Sequence, residues 1–287
     1  MSNDSELIKA IGIAQKAESQ IPKSALNSFF DYVEYGYKAI NNVVKIMGTI
    51  GQYTYNLIEN LSKIGSKVIE LINIINVPQI SEERKKHLIE SYSSWGEYGW
   101  TVLPFSAIGF FNDCPKTLEE ADKIALKEMS KENTQRLFNF LRNIKGIRKS
   151  DLEEAIFDFE NKKYKSCAMV LYSIIDSKLI RLQKYEDRNP RNNNRFSGNK
   201  AASRLRERIE QETDVENTLF LLLSHKNLFS CIDKMFEYGN DFKVQPALAN
   251  RHFLDHGMLI KNVRRKDCIK LFLLLYNFSE YIEIIKS

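Results

Sequence analysis

SDLEEAIFDFENKKYKSCAMVLYSIIDSKLIRLQ, residues 150–183, decides the fold class. Within it Tyr164, Cys167, Ala168, Leu171, Tyr172, Ile175, Leu179 and Leu182 return every three or four positions. Residues at that spacing share one face of a helix of 3.6 residues per turn, so the stretch predicts a long helix with one apolar stripe turned to a core. Only 12 glycines and 6 prolines punctuate the 287 residues, which favours long helices over many short strands. An all-α helical bundle is expected.

The same period runs outward in both directions. In ALNSFFDYVEYGYKAINNVVKIM, residues 25–47, it carries Phe29, Val33, Tyr37, Ile40, Val44 and Met47. YNLIENLSKIGSKVIELINIINV, residues 55–77, continues it and stops before Pro78. Ser81 is placed to cap the next helix, with Glu82 and Glu83 in the first turn, where the helix dipole favours acids. WGEYGWTVLPFSAIGFFNDCP, residues 95–115, breaks the rhythm with both tryptophans of the chain, two prolines and three glycines, and reads as a loop or hinge. Helices resume at Thr117, and Pro246 is expected to start one. LFLLLY, residues 271–276, is apolar on every side, which implies deep burial or a subunit interface. The expected organisation is an N-terminal helical region, 1–94, of unknown role, and a second helical domain, 95–287, with a linker at about 95–116.

Hydrophobic residues are 43% of the chain and charged residues 28%, enough to build a proper core. Cys114, Cys167, Cys231 and Cys268 form no CxxC pair, so they read as free thiols in a reducing compartment. No signal peptide is visible at the N-terminus, and no apolar run reaches the ~20 residues a membrane span needs. A cytoplasmic protein without membrane contact is expected.

The net charge of +5 is unevenly spread. In RLQKYEDRNPRNNNRFSGNKAASRLRER, residues 181–208, nine basic residues stand against three acids, an excess larger than that of the whole chain. With Asn, Ser and Gly between the charges, this reads as a basic loop able to grip a phosphate backbone through Arg188, Arg191, Arg195 and Lys200, or as a solvated loop without a partner.

ANRHFLDHG, residues 249–257, holds two of the four histidines of the chain. These residues can be structural polar groups at a helix start. His252 and His256, four apart, can also share a helix face as zinc ligands do, but no third ligand is evident and no Glu follows the first His. In a third reading the segment resembles the Arg-x4–6-His signature of the HEPN superfamily, with Arg251, His252 and His256 in its positions and Asn250 and Gly257 matching the form NRHxxxHG. Glu153, Ala155, Tyr164, Ala168, Leu171 and Asp176 in the stretch quoted first, and the Trp-containing segment WGEYGWTVLP, resemble other parts of such proteins. The resemblance covers about 95–287. Asp255 departs from it, because an apolar residue is more usual beside the histidine.

That resemblance implies a HEPN-like helical domain and metal-independent endoribonuclease activity, with no metal or cofactor. The chemistry suits these side chains. The ribose 2′-OH attacks the neighbouring phosphorus and the 5′-oxygen leaves, so one group must take a proton and another must give one. Histidine does either near neutral pH. A guanidinium is planar and permanently charged, which suits the developing phosphorane charge. Arg251 and His256 are the expected catalytic residues, His256 as acid/base and Arg251 as phosphate stabiliser, with Asn250, His252 and Asp255 supporting them. Five residues apart on an ideal helix, Arg251 and His256 diverge by about 140°. The resemblance implies a homodimer in which two motifs share a cleft. Single-stranded or loop RNA is the expected substrate, because in-line attack needs a flexible linkage. A role as a defence, toxin or abortive-infection effector, with an inhibitor or antitoxin protein as a partner, is likewise inherited from the resemblance. The alternative is a non-catalytic HEPN-like module that binds RNA or protein.

Overall fold

In the computed structural model, the stripe that begins at Tyr164 becomes the buried face of a 19-residue helix. Cys167, Ala168, Leu171, Tyr172, Ile175 and Leu179 are all within 1% of complete burial, so the period in the sequence is the period of the core contact. The structure describes residues 81–106, 109–213, 215 and 219–286. The helices expected over 25–47 and 55–77 lie outside them.

Among the described residues the chain is all-α, with no strand. The helices, in order, are α1 (Glu82–Glu97), α2 (Leu118–Glu128), α3 (Lys131–Asn143), α4 (Lys149–Glu160), α5 (Tyr164–Leu182), α6 (Gly198–Glu212), α7 (Leu219–Met235), α8 (Arg251–Asp255) and α9 (Arg265–Lys286). A short 3₁₀ turn, Asn240–Phe242, precedes α8. Residues 87–106 and 111–286 form one compact unit. The other unit, 1–86 with 107–110 and Ser287, lies mostly outside the described residues.

The apolar stretch 271–276 is the centre of this core. Leu271, Phe272, Leu273, Leu274, Leu275 and Phe278 have no exposed surface, so burial within the chain accounts for its apolar character, without an interface. α9 packs on α3, α5 and α7. Phe138 of α3, Phe159 of α4 and Phe272 of α9 meet pairwise at ring-centroid distances of 5.4, 4.7 and 5.6 Å. Two of those contacts are edge-on, an arrangement worth about 0.5–1.5 kcal/mol beyond burial.

Local chemistry sets the helix ends. Ser81 Oγ accepts from Arg84 N at 3.2 Å, as its position before two acids leads one to expect. Thr117 and Ser130 cap α2 and α3 in the same way. Between α4 and α5, however, the chain turns at Lys162, whose φ is 60°. The stretch that reads as one periodic run is therefore a helical hairpin, α4 packed along α5.

Among its described residues the Trp-rich segment is irregular after Glu97, yet both tryptophans are inside. Trp95 and Trp100 are 1% and 0% exposed. Their indole N–H groups donate to Asp113 O and Asp122 Oδ1, each at 2.9 Å. Asn227 of α7 donates to Tyr92 O and Trp100 O and accepts from Val102 N, and Asn277 of α9 donates to Thr101 Oγ1 and Val102 O. A buried backbone without helix or strand bonds needs such partners, and two asparagine side chains supply them. Beneath it Lys270, 1% exposed, pairs with Asp122 at 2.7 Å, and Lys266 reaches the other oxygen at 2.5 Å. Burial works against the Asp122 carboxylate, but Lys270, Lys266 and Trp100 together hold its pKa below the ordinary value.

Candidate active site

Asn250 starts the helix that carries the motif. Its Oδ1 accepts from Phe253 N at 3.2 Å, and its amide donates to Lys234 O and Glu237 O at 3.3 and 2.9 Å. The side chain is 1% exposed, so it faces the protein and not a substrate. Pro246, the residue expected to start this helix, lies in irregular chain ahead of it, and the N-cap is Asn250 because its short acceptor reaches the free amide of the first turn. Tyr172 of α5 holds the same point from below: its hydroxyl donates to Ala249 O. Phe253 and Leu254, each 1% exposed, bury the inner face of α8. Just before the 3₁₀ turn the chain passes over Phe253 at Gly239, where an added Cβ would fall 2.1 Å from a ring carbon.

Arg251, His252, Asp255 and His256 occupy the outer face. The Arg251 guanidinium lies between two carboxylates: Nη2 is 2.8 Å from Asp176 Oδ2 and Nε is 3.0 Å from Asp255 Oδ2. The arginine side chain is 25% exposed and Asp176 only 10%. Asp176 Oδ1 in turn accepts from Gly198 N at 2.7 Å, where α6 begins. Gly198 has φ +58°, and a Cβ there would sit 3.7 Å from Arg251 Nη1. One carboxylate thus ties α5, the end of the basic loop and the motif helix together. With both acids ionised, the trio carries a net charge of −1. Three of the five guanidinium N–H groups remain for another acceptor.

The two histidines are neighbours, with ring centroids 4.7 Å apart at 70°. His252 is also sandwiched: Phe242 stacks on it at 4.7 Å and 4°, and Tyr238 meets it edge-on at 5.3 Å. Phe242 reaches this position through left-handed backbone at Asp241 and Phe242, φ 52° and 55°, a costly conformation for a bulky side chain. Burial, then the neighbouring His256 and Arg251, lower the pKa of His252 against the opposing pull of Asp255. These surroundings favour the neutral form of His252. His256 closes the helix as its C-cap and is exposed. Among the described residues no three His, Cys, Asp or Glu side chains form a group that could hold a metal ion.

The basic stretch 181–208 runs from the last residues of α5 through an irregular loop into the first turns of α6, which begins at Gly198. Ion pairing with acids outside the stretch, Glu212 and Asp233, offsets part of its excess charge. Lys184 pairs with Glu212, Arg204 with Glu207, Arg206 with Asp233 and Arg208 with Asp187. Arg191, Arg195 and Lys200 stay exposed, Lys200 over the ring of Phe196 at 4.6 Å. Arg188 is half-buried, and its Nε has no hydrogen-bond partner. The loop ends beside the motif, because Gly198 abuts Arg251.

Asp176, Tyr172, Phe242 and Tyr238 are parts of this site that the motif does not contain. Asp176 had a visible signal: an acid on the same helical face as Tyr172, Ile175 and Leu179 must find a partner when that face is buried. Phe242 and Tyr238 reach His252 through a turn whose shape no local pattern marks. No helix among the described residues is long and apolar enough to cross a membrane. Comparison with known proteins returns no matching family model, no similar curated protein and no similar solved structure.

Proposed function

We propose that this chain is a metal-independent endoribonuclease of the HEPN kind. The observation that carries the reading is the presentation of Arg251 with two adjacent histidines on the outer face of a five-residue helix fixed by Asn250 and Tyr172. A neutral histidine takes the proton of the ribose 2′-OH as O2′ bonds to phosphorus. The P–O5′ bond breaks, and a protonated histidine gives its proton to O5′, leaving a 2′,3′-cyclic phosphate and a 5′-OH. His256, exposed, is the acid/base that meets substrate. Arg251 offers its remaining N–H groups to the non-bridging oxygens.

One motif contains few groups for two proton transfers and charge stabilisation, and two copies facing each other pool them. The apolar side chains beside the motif, Tyr238, Met258 and Ile260, are 60%, 45% and 83% exposed, and a second copy is what would cover them. Arg188, Arg191, Arg195 and Lys200 lead single-stranded or loop RNA toward Arg251. Service as a defence or toxin effector, restrained by an inhibitor protein, belongs to the same reading, as does a cytoplasmic location.

The net negative charge of Asp176, Arg251 and Asp255 favours a second reading, a non-catalytic HEPN-like module in which the arginine is a structural clasp. Cleavage of mixed RNA in EDTA by the wild type and by His256→Ala separates the two. The ribonuclease reading expects cyclic-phosphate ends from the wild type and none from the variant. RNA left intact by both, or cut equally by both, overturns it.

A further inference from the structure

On the inner side of α8 the chain leaves the motif through residues 259–263 and faces the first turn of α5 across a cleft of about 360 Å³. Lys162, Lys163, Lys165 and Lys261 line this cleft, and no acidic side chain does. The three lysines of the α5 turn are exposed, and among the described residues none of the four is ion-paired with a carboxylate, unlike Arg204, Arg206 and Arg208 on α6. Lys261 is drawn inward, its amine donating to Ala247 O. Burial pushes its pKa down to about 8. The carboxylates that act on Lys261, Asp267 and Asp122, are committed elsewhere: Asp267 accepts from Arg264 N at 2.8 Å, and Asp122 binds Lys266 and Lys270. Gln245 fixes the opposite wall, its amide bonding Met258 O and Ile260 N at 3.0 Å each.

Four like charges gathered around one concavity repel one another, and partial burial adds to that cost at Lys261. An anion placed among them relieves it. The volume lies at the lower end of ~300–1,000 Å³ for small-molecule sites, which suits a phosphate or a nucleotide-sized group. Ammonium groups on flexible stems bind phosphate as point charges from several directions, as this arrangement would require.

We propose that this cleft binds a phosphate group, carried either by a single-stranded polynucleotide or by a free phosphate or polyphosphate. The site stands apart from the ribonuclease reading and needs no catalysis. It has a direct route to the motif, since Lys261 follows His256 by one short loop that Gln245 holds in place.

The test uses the full chain, with inorganic pyrophosphate and a 2′-O-methyl oligoribonucleotide, which cannot be cleaved through its 2′-oxygen. The triple variant Lys162→Gln/Lys163→Gln/Lys165→Gln removes three exposed charges, and thermal melting checks that it folds. Binding of at least one probe should weaken by about tenfold or more. For the oligonucleotide, the slope of log affinity against log salt should fall by about 2 for three lost contacts. Loss confined to pyrophosphate identifies a free phosphate as the ligand, and loss confined to the oligonucleotide identifies the chain. Acylation of Lys261 in the wild type, read by mass spectrometry, should slow when the effective probe is present. Unchanged affinity for both probes in the variant, or no binding of either by the wild type, overturns the proposal, whatever the outcome of the RNA cleavage assay.

Discussion

The carboxylate of Asp176 and the guanidinium of Arg251 meet at 2.8 Å across 75 residues of sequence. This contact places the motif. The other oxygen of Asp176 holds Gly198 N, so the same side chain fixes where α6 and the basic loop end. Asp176→Ala removes acceptors from two donors at once, one of them charged. The expected cost is about 2–4 kcal/mol in unfolding free energy, measured by urea denaturation. Asp176→Asn keeps one acceptor oxygen, enough for one of the two donors, and turns an NH2 toward the other, so it should recover at most about half of that cost. Equal, small losses in both variants would mean that the helix is held by Asn250 and Tyr172 alone.

Under the ribonuclease reading, Asp255 competes with substrate for the same guanidinium. Its Oδ2 lies 3.0 Å from Arg251 Nε, and the pair is partly open to water, so its own contribution to stability is small. Asp255→Asn removes a negative charge from the site and frees the arginine electrostatically. Under the ribonuclease reading, affinity for uncleavable RNA should rise about threefold to tenfold at low salt, and less at high salt, where screening already weakens the repulsion. A fall in affinity would show that Asp255 positions Arg251 and does not oppose the phosphate.

Much of the fold was open to reading from the chain alone, because apolar residues at helical spacing report a buried face wherever it exists. The stripe of α5 and the core of α9 are cases in point. What escaped depends on tertiary contact. Lys162 turns left-handed without a glycine to mark it, so α4 and α5 read as one helix. Pro246 looked like a helix start, but the capping bonds belong to Asn250. The charge of 181–208 looked free, yet Glu212 and Asp233, outside the segment, neutralise part of it. The pairing of Arg251 with Asp176 joins two elements that no spacing rule connects, though the acid on a buried helix face announced that some partner was needed.

A pH dependence follows from His225, a buried histidine far from the motif in sequence. It is 1% exposed, and its ring nitrogens lie 2.7 Å from Tyr281 OH and 3.1 Å from Glu210 Oε1. A carboxylate only accepts, so Nε2 carries the proton and Nδ1 accepts from the tyrosine. Burial lowers the pKa of His225, with Glu210 pulling the other way. The folded state therefore binds fewer protons than the unfolded chain, where histidine titrates near ~6.5. The stability from neutral His225 is full above that value and is lost as pH falls through it toward the folded pKa. His252 shifts in the same direction. Denaturation midpoints at pH 7.5, 6.5 and 5.5 should decline for the wild type and decline less for His225→Asn. The same slope in both proteins would place the titration elsewhere.

The basic loop supplies the last test, and ion pairing sharpens it. Within the basic stretch the expected RNA contacts are Arg188, Arg191, Arg195 and Lys200, and the arginines of α6 pair with acids instead. Replacing the four by Ala removes charges that hold no described carboxylate, so the melting temperature should barely change. If each meets one phosphate, the slope of log affinity against log salt on single strands falls by about 0.7 per contact, or roughly 3 for all four. The rate at saturating RNA should stay near the wild-type value, because these contacts bind substrate and transition state alike. His256→Ala should do the reverse, keeping affinity and salt slope while cleavage disappears. The comparison also ranks two electropositive surfaces. If the loop variant keeps its slope while the lysine-cleft variant loses its own, the RNA runs along the inner side of α8 and the loop is a solvated surface. If the loop variant alone loses slope, the strand enters past Gly198, directly onto Arg251.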